Sequence, residues 1–133
     1  MSRDQPVQIT HDDLDRVLDR VVELARGDKA SVVLEAWRVF ERDVRLHFAS
    51  EEARLLPAYL REDAAQADEI EVEHDLMRED CRSFRQMLEQ HGDLPLDDEA
   101  RSKLEAVIAL YRRHQEHEDE GVYAWAKAYF AKP

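Results

Sequence analysis

Two stretches of the sequence pair an imidazole with a carboxylate at the same spacing, His47-Phe-Ala-Ser-Glu51 and His114-Gln-Glu-His-Glu118. Four residues apart on a helix, the two side chains share a face with Cβ atoms about 5–6 Å apart, so each pair can reach one ion or two neighbouring ions. Two further histidines, His11 and His74, stand alone in the segments that precede these pairs. Imidazole and carboxylate donors without thiolate suit iron or manganese, with zinc a third choice. The lone cysteine, Cys81, lies seven residues past His74. That is roughly 10 Å along a helix, and Cys81 reads as a small core residue rather than a ligand.

Helices must position these groups. Three Gly and four Pro in 133 residues leave few turns, which favours long helices over many short strands. Punctuation falls at Gly27-Asp28, at Glu62-Asp63 and at His91-Gly92-Asp93-Leu94-Pro95, and it divides the chain into four segments. Each segment carries an apolar stripe at steps of three and four. The stripes run through Leu14, Leu18, Val21 and Ala25; Val33, Trp37, Phe40 and Val44; Ala67, Ile70, Met77, Cys81, Phe84 and Leu88; and Leu104, Val107, Tyr111, Trp125 and Tyr129. Thr10 and Asp13 have the spacing of a capping box for the first helix. Pro57 should kink the second helix or be confined to an end turn. Four helices with short connections make an all-α, antiparallel up-down-up-down four-helix bundle.

Extending the stripes puts His11, His47, Glu51, His74, His114 and Glu118 on inward faces. Burying one unpaired ionisable group costs several kcal/mol, and a single core histidine is ordinarily satisfied by hydrogen bonds. Six in register ask for a common partner. His11 lies 17 residues before Asp28 and His47 lies 19 after it; His74 lies 19 before Asp93 and His114 lies 21 after it. At about 1.5 Å per residue these heights agree within a few ångströms. The chain also repeats itself: His47–Pro57 aligns with His114–Ala124 at an offset of 67, and Thr10-His11-Asp12 echoes Glu73-His74-Asp75 at an offset of 63. Each half is a one-histidine helix followed by an HxxxE helix. That arrangement suggests a pseudo-twofold site in which each of two metals takes two histidines and the carboxylates bridge.

Composition narrows the function classes. A formal charge of −12 and no Lys/Arg cluster denser than Arg112-Arg113 oppose nucleic-acid binding, which needs a basic face. No apolar run approaches a membrane span, and Met1–Thr10 lacks a signal-peptide core. With one cysteine, no internal disulfide is available, which fits a reducing compartment, and a cytoplasmic protein is expected. The length suits one domain over residues 1–133.

Over roughly residues 9–130 the chain resembles the hemerythrin-like, HHE cation-binding family. The motifs that carry the likeness are the lone His11, HxxxEE followed by Leu55-Leu56-Pro57, Glu73-His74, and HxxxED followed by Val122-Tyr123. The resemblance implies two iron ions inside the bundle with a bridging oxo or hydroxo group. Glu51 and Glu118 would bridge them, His11 and His47 would serve one iron, and His74 and His114 the other. It further implies binding of dioxygen or a related small ligand such as nitric oxide, in a pocket formed in part by Met77, Tyr111 and Trp125. Turnover of peroxide, or iron storage or sensing, are the alternatives, in a monomer or a homodimer.

One position departs from the oxygen carriers of the family, which have a second histidine one turn before the third-helix histidine; here that residue is Ile70. Glu71 could replace the missing ligand, or a water could fill the gap. Asp15, His91 and His117 are expected at the surface.

Overall fold

The computed structural model describes residues 9–131. These form six helical segments: α1 (His11–Ala25), α2 (Ala30–Arg54), α3 (Leu56–Glu62), α4 (Ala64–His91), α5 (Asp98–Glu120) and α6 (Val122–Phe130). Among the described residues there is no strand beyond an isolated bridge between Lys29 and Pro95. No described helix is long and apolar enough to cross a membrane.

Local signals account for where the helices begin. The capping box expected at Thr10 is formed: its hydroxyl accepts from Asp13 N at 3.2 Å, and the Asp13 carboxylate accepts from Thr10 N at 3.0 Å. This reciprocal pair satisfies two amides that the first turn would otherwise leave open, and it fixes His11 as the first residue of α1. Asp63 and Asp97 cap α4 and α5 in the same sense, accepting from Gln66 N and Ala100 N.

Two of the four expected helices are interrupted, each about one turn past its HxxxE stretch. α2 stops at Arg54 and α3 restarts at Leu56 with Pro57 in its first turn, where a residue without an N–H costs no helical bond. Pro57 therefore occupies an end turn rather than a mid-helix kink. The second break, at Gly121, was not expected, and it corrects the fourth stripe. It shifts the helical phase so that Val122 and Ala126 are buried, Trp125 is half-buried and Tyr129 is exposed.

Two apolar clusters result. The larger gathers Leu14, Leu18, Trp37, Phe40, Phe48, Met77, Phe84, Val107 and Tyr111 among others, and the smaller gathers Leu55, Leu56, Tyr59, Ala67, Ile70, Val122 and Ala126. Trp37 sits edge-on to Phe84 at 4.8 Å between ring centroids and donates its indole N–H to Cys81 O at 3.1 Å, so the largest core side chain is both packed and satisfied. On α2, α4 and α5 the buried residues between the two clusters are His47, Glu51, His74, His114 and Glu118.

The two loops 26–29 and 92–97 clasp each other. Ala30 N donates to Leu94 O and Ser31 N to Gly92 O, both at 2.8 Å, and Ser31 Oγ donates to Asp93 Oδ1 at 3.0 Å. Tying these turns together sets the heights of α1 and α2 against α4 and α5. Gly92 carries φ of +57° while it accepts from Ser31 and ends α4, a conformation that an L side chain enters at a cost of about 1–2 kcal/mol. Gly92→Ala should lower stability by about that amount, read as a lower denaturant midpoint with unchanged slope.

Candidate metal centre

All six side chains singled out from the sequence meet in one place. α2 contributes His47 and Glu51, α4 contributes His74, α5 contributes His114 and Glu118, and His11 joins them from the start of α1. Five of the six are buried, and the His11 side chain is 13% exposed. Each imidazole directs Nε2 at a carboxylate. His11 Nε2 lies 3.1 Å from Glu118 Oε1, His47 Nε2 3.1 Å from Glu51 Oε2, and His114 Nε2 3.1 Å from Glu118 Oε1. His74 Nε2 lies 2.9 Å from Glu51 Oε1 and 3.3 Å from Glu118 Oε2. The donors fall into two groups, His11-His47-Glu51-Glu118 and Glu51-His74-His114-Glu118, each with its ligand atoms within 4.8 Å of one another. Both groups contain the same two carboxylates.

The far nitrogen of every ring is held from outside. His11 Nδ1 faces Asp119 at 3.0 Å, His74 Nδ1 faces Glu52 at 2.8 Å, His114 Nδ1 faces Glu73 at 2.5 Å, and His47 Nδ1 faces the main-chain carbonyl of Ile9. A carbonyl or an ionised carboxylate can only accept, so Nδ1 carries the proton in each ring. In the neutral imidazole Nε2 then presents a lone pair inward. Four lone pairs and two carboxylates would crowd a buried space with acceptors alone. Accordingly His47 Nε2, His114 Nε2 and Glu51 Oε1 are buried without a hydrogen-bond partner, although such groups are normally paired. A cation resolves this arrangement, and the donor set fits one: neutral imidazoles with their outer N–H groups held, facing oxygen ligands, are the usual preparation for a metal ion.

Without a cation, protons must take its place. Burial works against a charged His74, but the Glu118 and Glu51 carboxylates, 3.3 and 2.9 Å from its Nε2, override it and raise its pKa to about 10. His11 and His114 are raised against burial by Glu118. Burial alone would raise Glu118, yet its three histidine partners hold it well below the usual carboxylate range. Tyr123 donates to Glu51 Oε2 at 2.5 Å, and burial together with the nearby carboxylates pushes its phenol upward. Aromatic rings wall the site: Phe48 stacks on His74 at 3.9 Å between centroids and stands edge-on to His114 at 5.5 Å.

The other sequence expectations divide. Cys81 is buried in the larger cluster and outside both ligand groups, with burial pushing its thiol up to about 12. Glu71 is exposed and belongs to neither group, since three residues before His74 its side chain leaves the inward face. Asp15, expected at the surface, is half-buried and accepts from Tyr111 Oη at 3.3 Å and Gln115 Nε2 at 3.1 Å, joining α1 to α5. His91 and His117 are half-buried rather than solvated: His91 reaches Met87 O and Asp97, and His117 reaches Glu73. Trp125 does not join Met77 and Tyr111; it packs on Tyr59 and Tyr129 beside the smaller cluster.

The outer partners were missed in the sequence. Their signal was nonetheless present, because Glu52, Glu73 and Asp119 each adjoin a ligand-type residue, in Glu51-Glu52, Glu73-His74 and Glu118-Asp119. About 100° around the helix from its neighbour, each reaches sideways to the imidazole of an adjacent helix.

An all-helical bundle enclosing a buried cluster of imidazoles and carboxylates defines a class of cation-binding domains. The chain matches the hemerythrin HHE cation-binding domain over residues 8–126 and belongs to that family. No curated protein and no solved structure shows significant similarity to it.

In the metal-free chain, the histidine–carboxylate pairs contribute stability of two signs. The raised His74 pKa adds stability that is complete below its ordinary 6.5 and lost as pH rises through about 10. The lowered Glu118 pKa adds stability present above its ordinary 4.5 and lost as pH falls. Thermal unfolding of chelator-treated protein should therefore show its highest midpoint between those ordinary values, declining to either side. A midpoint rising steadily into the alkaline range contradicts the pairing.

Proposed function

We propose that this chain is a single-domain, non-heme di-iron protein that binds dioxygen or a related small ligand such as nitric oxide. The observation that carries the reading is the pair of ligand groups with two carboxylates in common, since donors shared in that way suit two ions rather than one. In this reading His11 and His47 would hold one iron, His74 and His114 would hold the other, and Glu51 and Glu118 would serve both. Six protein donors over two ions would leave room for an oxo or hydroxo group and an incoming ligand. The helices α1, α2, α4 and α5 form an antiparallel, up-down-up-down four-helix bundle around the centre, with α3 and α6 continuing α2 and α5 past their breaks. A buried lone cysteine and a charge of −12 support a cytoplasmic protein that does not bind nucleic acid, as a monomer or a homodimer.

Bound iron supplies Lewis acidity and one-electron redox capacity. The chain supplies the rest. The four outer acceptors keep Nδ1 protonated and hold every Nε2 lone pair inward. Phe48, stacked over His74, keeps bulk water from that ring. The Tyr123 hydroxyl donates to Glu51 Oε2 across 2.5 Å between oxygens and so restrains the carboxylate, and burial beside the carboxylates keeps its proton in place. The missing third-helix histidine leaves apolar Ile70 buried within the smaller cluster, so no side chain from that position would complete the coordination.

Metal analysis of the purified chain should find two irons per chain, falling to one or none on Glu118→Ala. Anaerobic reduction followed by air then separates the chemistries. A reversible, oxygen-dependent absorption band supports binding, whereas irreversible oxidation with peroxide consumption points to catalysis. No iron in the native chain, with no metal lost on Glu118→Ala, overturns the site.

A further inference from the structure

The internal repeat matches residue 52 with residue 119 and residue 73 with residue 10. The outer partners follow this symmetry at three positions and break it at the fourth. Glu52 supports His74, Asp119 supports His11 and Glu73 supports His114. At residue 10 the chain has Thr10, whose hydroxyl is committed to the α1 cap, and His47 rests on the neutral carbonyl of Ile9 instead. An anionic acceptor on Nδ1 strengthens the imidazole as a ligand through Nε2, and losing such a partner typically costs 10–100-fold in metal affinity.

Rigidity is unequal in the same direction. His74 is fully buried against Phe48, and Arg78 secures the arrangement twice over: its guanidinium donates to Glu52 at 2.8 Å and lies 5.6 Å from the centre of the Phe48 ring. His11 instead stands on the first residue of α1, and its acceptor Asp119 is 58% exposed.

From this asymmetry we infer that the two ion positions of the proposed centre are unequal: the position at His74 and His114 fills first and holds its ion, and the position at His11 and His47 is filled second and exchanges. Arg78 is a positioning residue for the first, acting through Glu52. The inference rests on the two-ion reading above, and its test fails in a different way.

Anaerobic calorimetric titration of the metal-free full-length chain with ferrous ion should resolve two steps about 10-fold or more apart in affinity. His11→Ala should keep one ion per chain after desalting, and His74→Ala should keep none. Arg78→Ala should weaken the first step about 10-fold and leave the second unchanged, with Arg78→Lys recovering part of the loss; a purely structural role for Arg78 would move both steps together. Helical circular dichroism of each variant checks folding, and the Arg78 pair decides the matter if His74→Ala does not fold. Two equal steps, or equal losses from His11→Ala and His74→Ala, overturn the inequality while leaving two ions in place. A native chain that takes up no iron overturns both readings.

Discussion

Four imidazoles and two carboxylates share a buried space, and the rest of the structure follows from that constraint. Ionisable groups taken out of water are destabilising unless each is satisfied. Here the satisfaction comes from two directions. Outside, three carboxylates and one carbonyl hold the Nδ1 protons; inside, the Nε2 atoms and the carboxylate oxygens face one another. The outer acceptors form a closed circuit, with α2 supporting the histidine of α4, α4 that of α5, α5 that of α1, and Ile9, just ahead of the α1 cap, that of α2. Displacing one helix would release the histidine of the next.

Apolar packing on both sides keeps this polar layer at a single height. Trp37, Phe40, Phe84 and Tyr111 interlock on one side, and Leu55, Tyr59, Ile70 and Val122 close the other. The clasp of the loops 26–29 and 92–97 sets the register of the helices at one end. At the other end, the breaks before α3 and α6 follow directly on the HxxxE stretches, and both segments pack into the smaller apolar cluster. Tyr123 follows directly from the second break, because Gly121 resets the helix so that the phenol reaches Glu51.

The symmetry of the centre is that of the sequence repeat, and so is its flaw. A duplicated pattern brings two similar halves together, but a helix that begins at His11 has no preceding turn from which residue 10 could extend a carboxylate. Thr10 serves the cap, and the main chain takes over the support of His47. Helix capping and support of the facing imidazole thus compete for one position.

Much of this was legible in the sequence. Helical periodicity with polar residues on an apolar stripe identified all six converging side chains, because a helix converts spacing directly into direction and height. The capping box at Thr10 and the turn at Gly92 were equally local. Other features depended on neighbours that no local pattern reveals. Glu52, Glu73 and Asp119 look like ordinary surface acids until the adjacent helix brings an imidazole to them. Asp15 looks solvent-facing until Tyr111 and Gln115 cover it. The break at Gly121 shifts the helical phase, so that packing buries Val122 and Ala126 and leaves Tyr129 exposed where the stripe alone would have continued inward. The sequence by itself determined which residues could be ligands, since that is a matter of type and period. The tertiary structure decided which of them are supported, and by what, since hydrogen-bond partners are set by the distance between helices rather than by the position of residues along one.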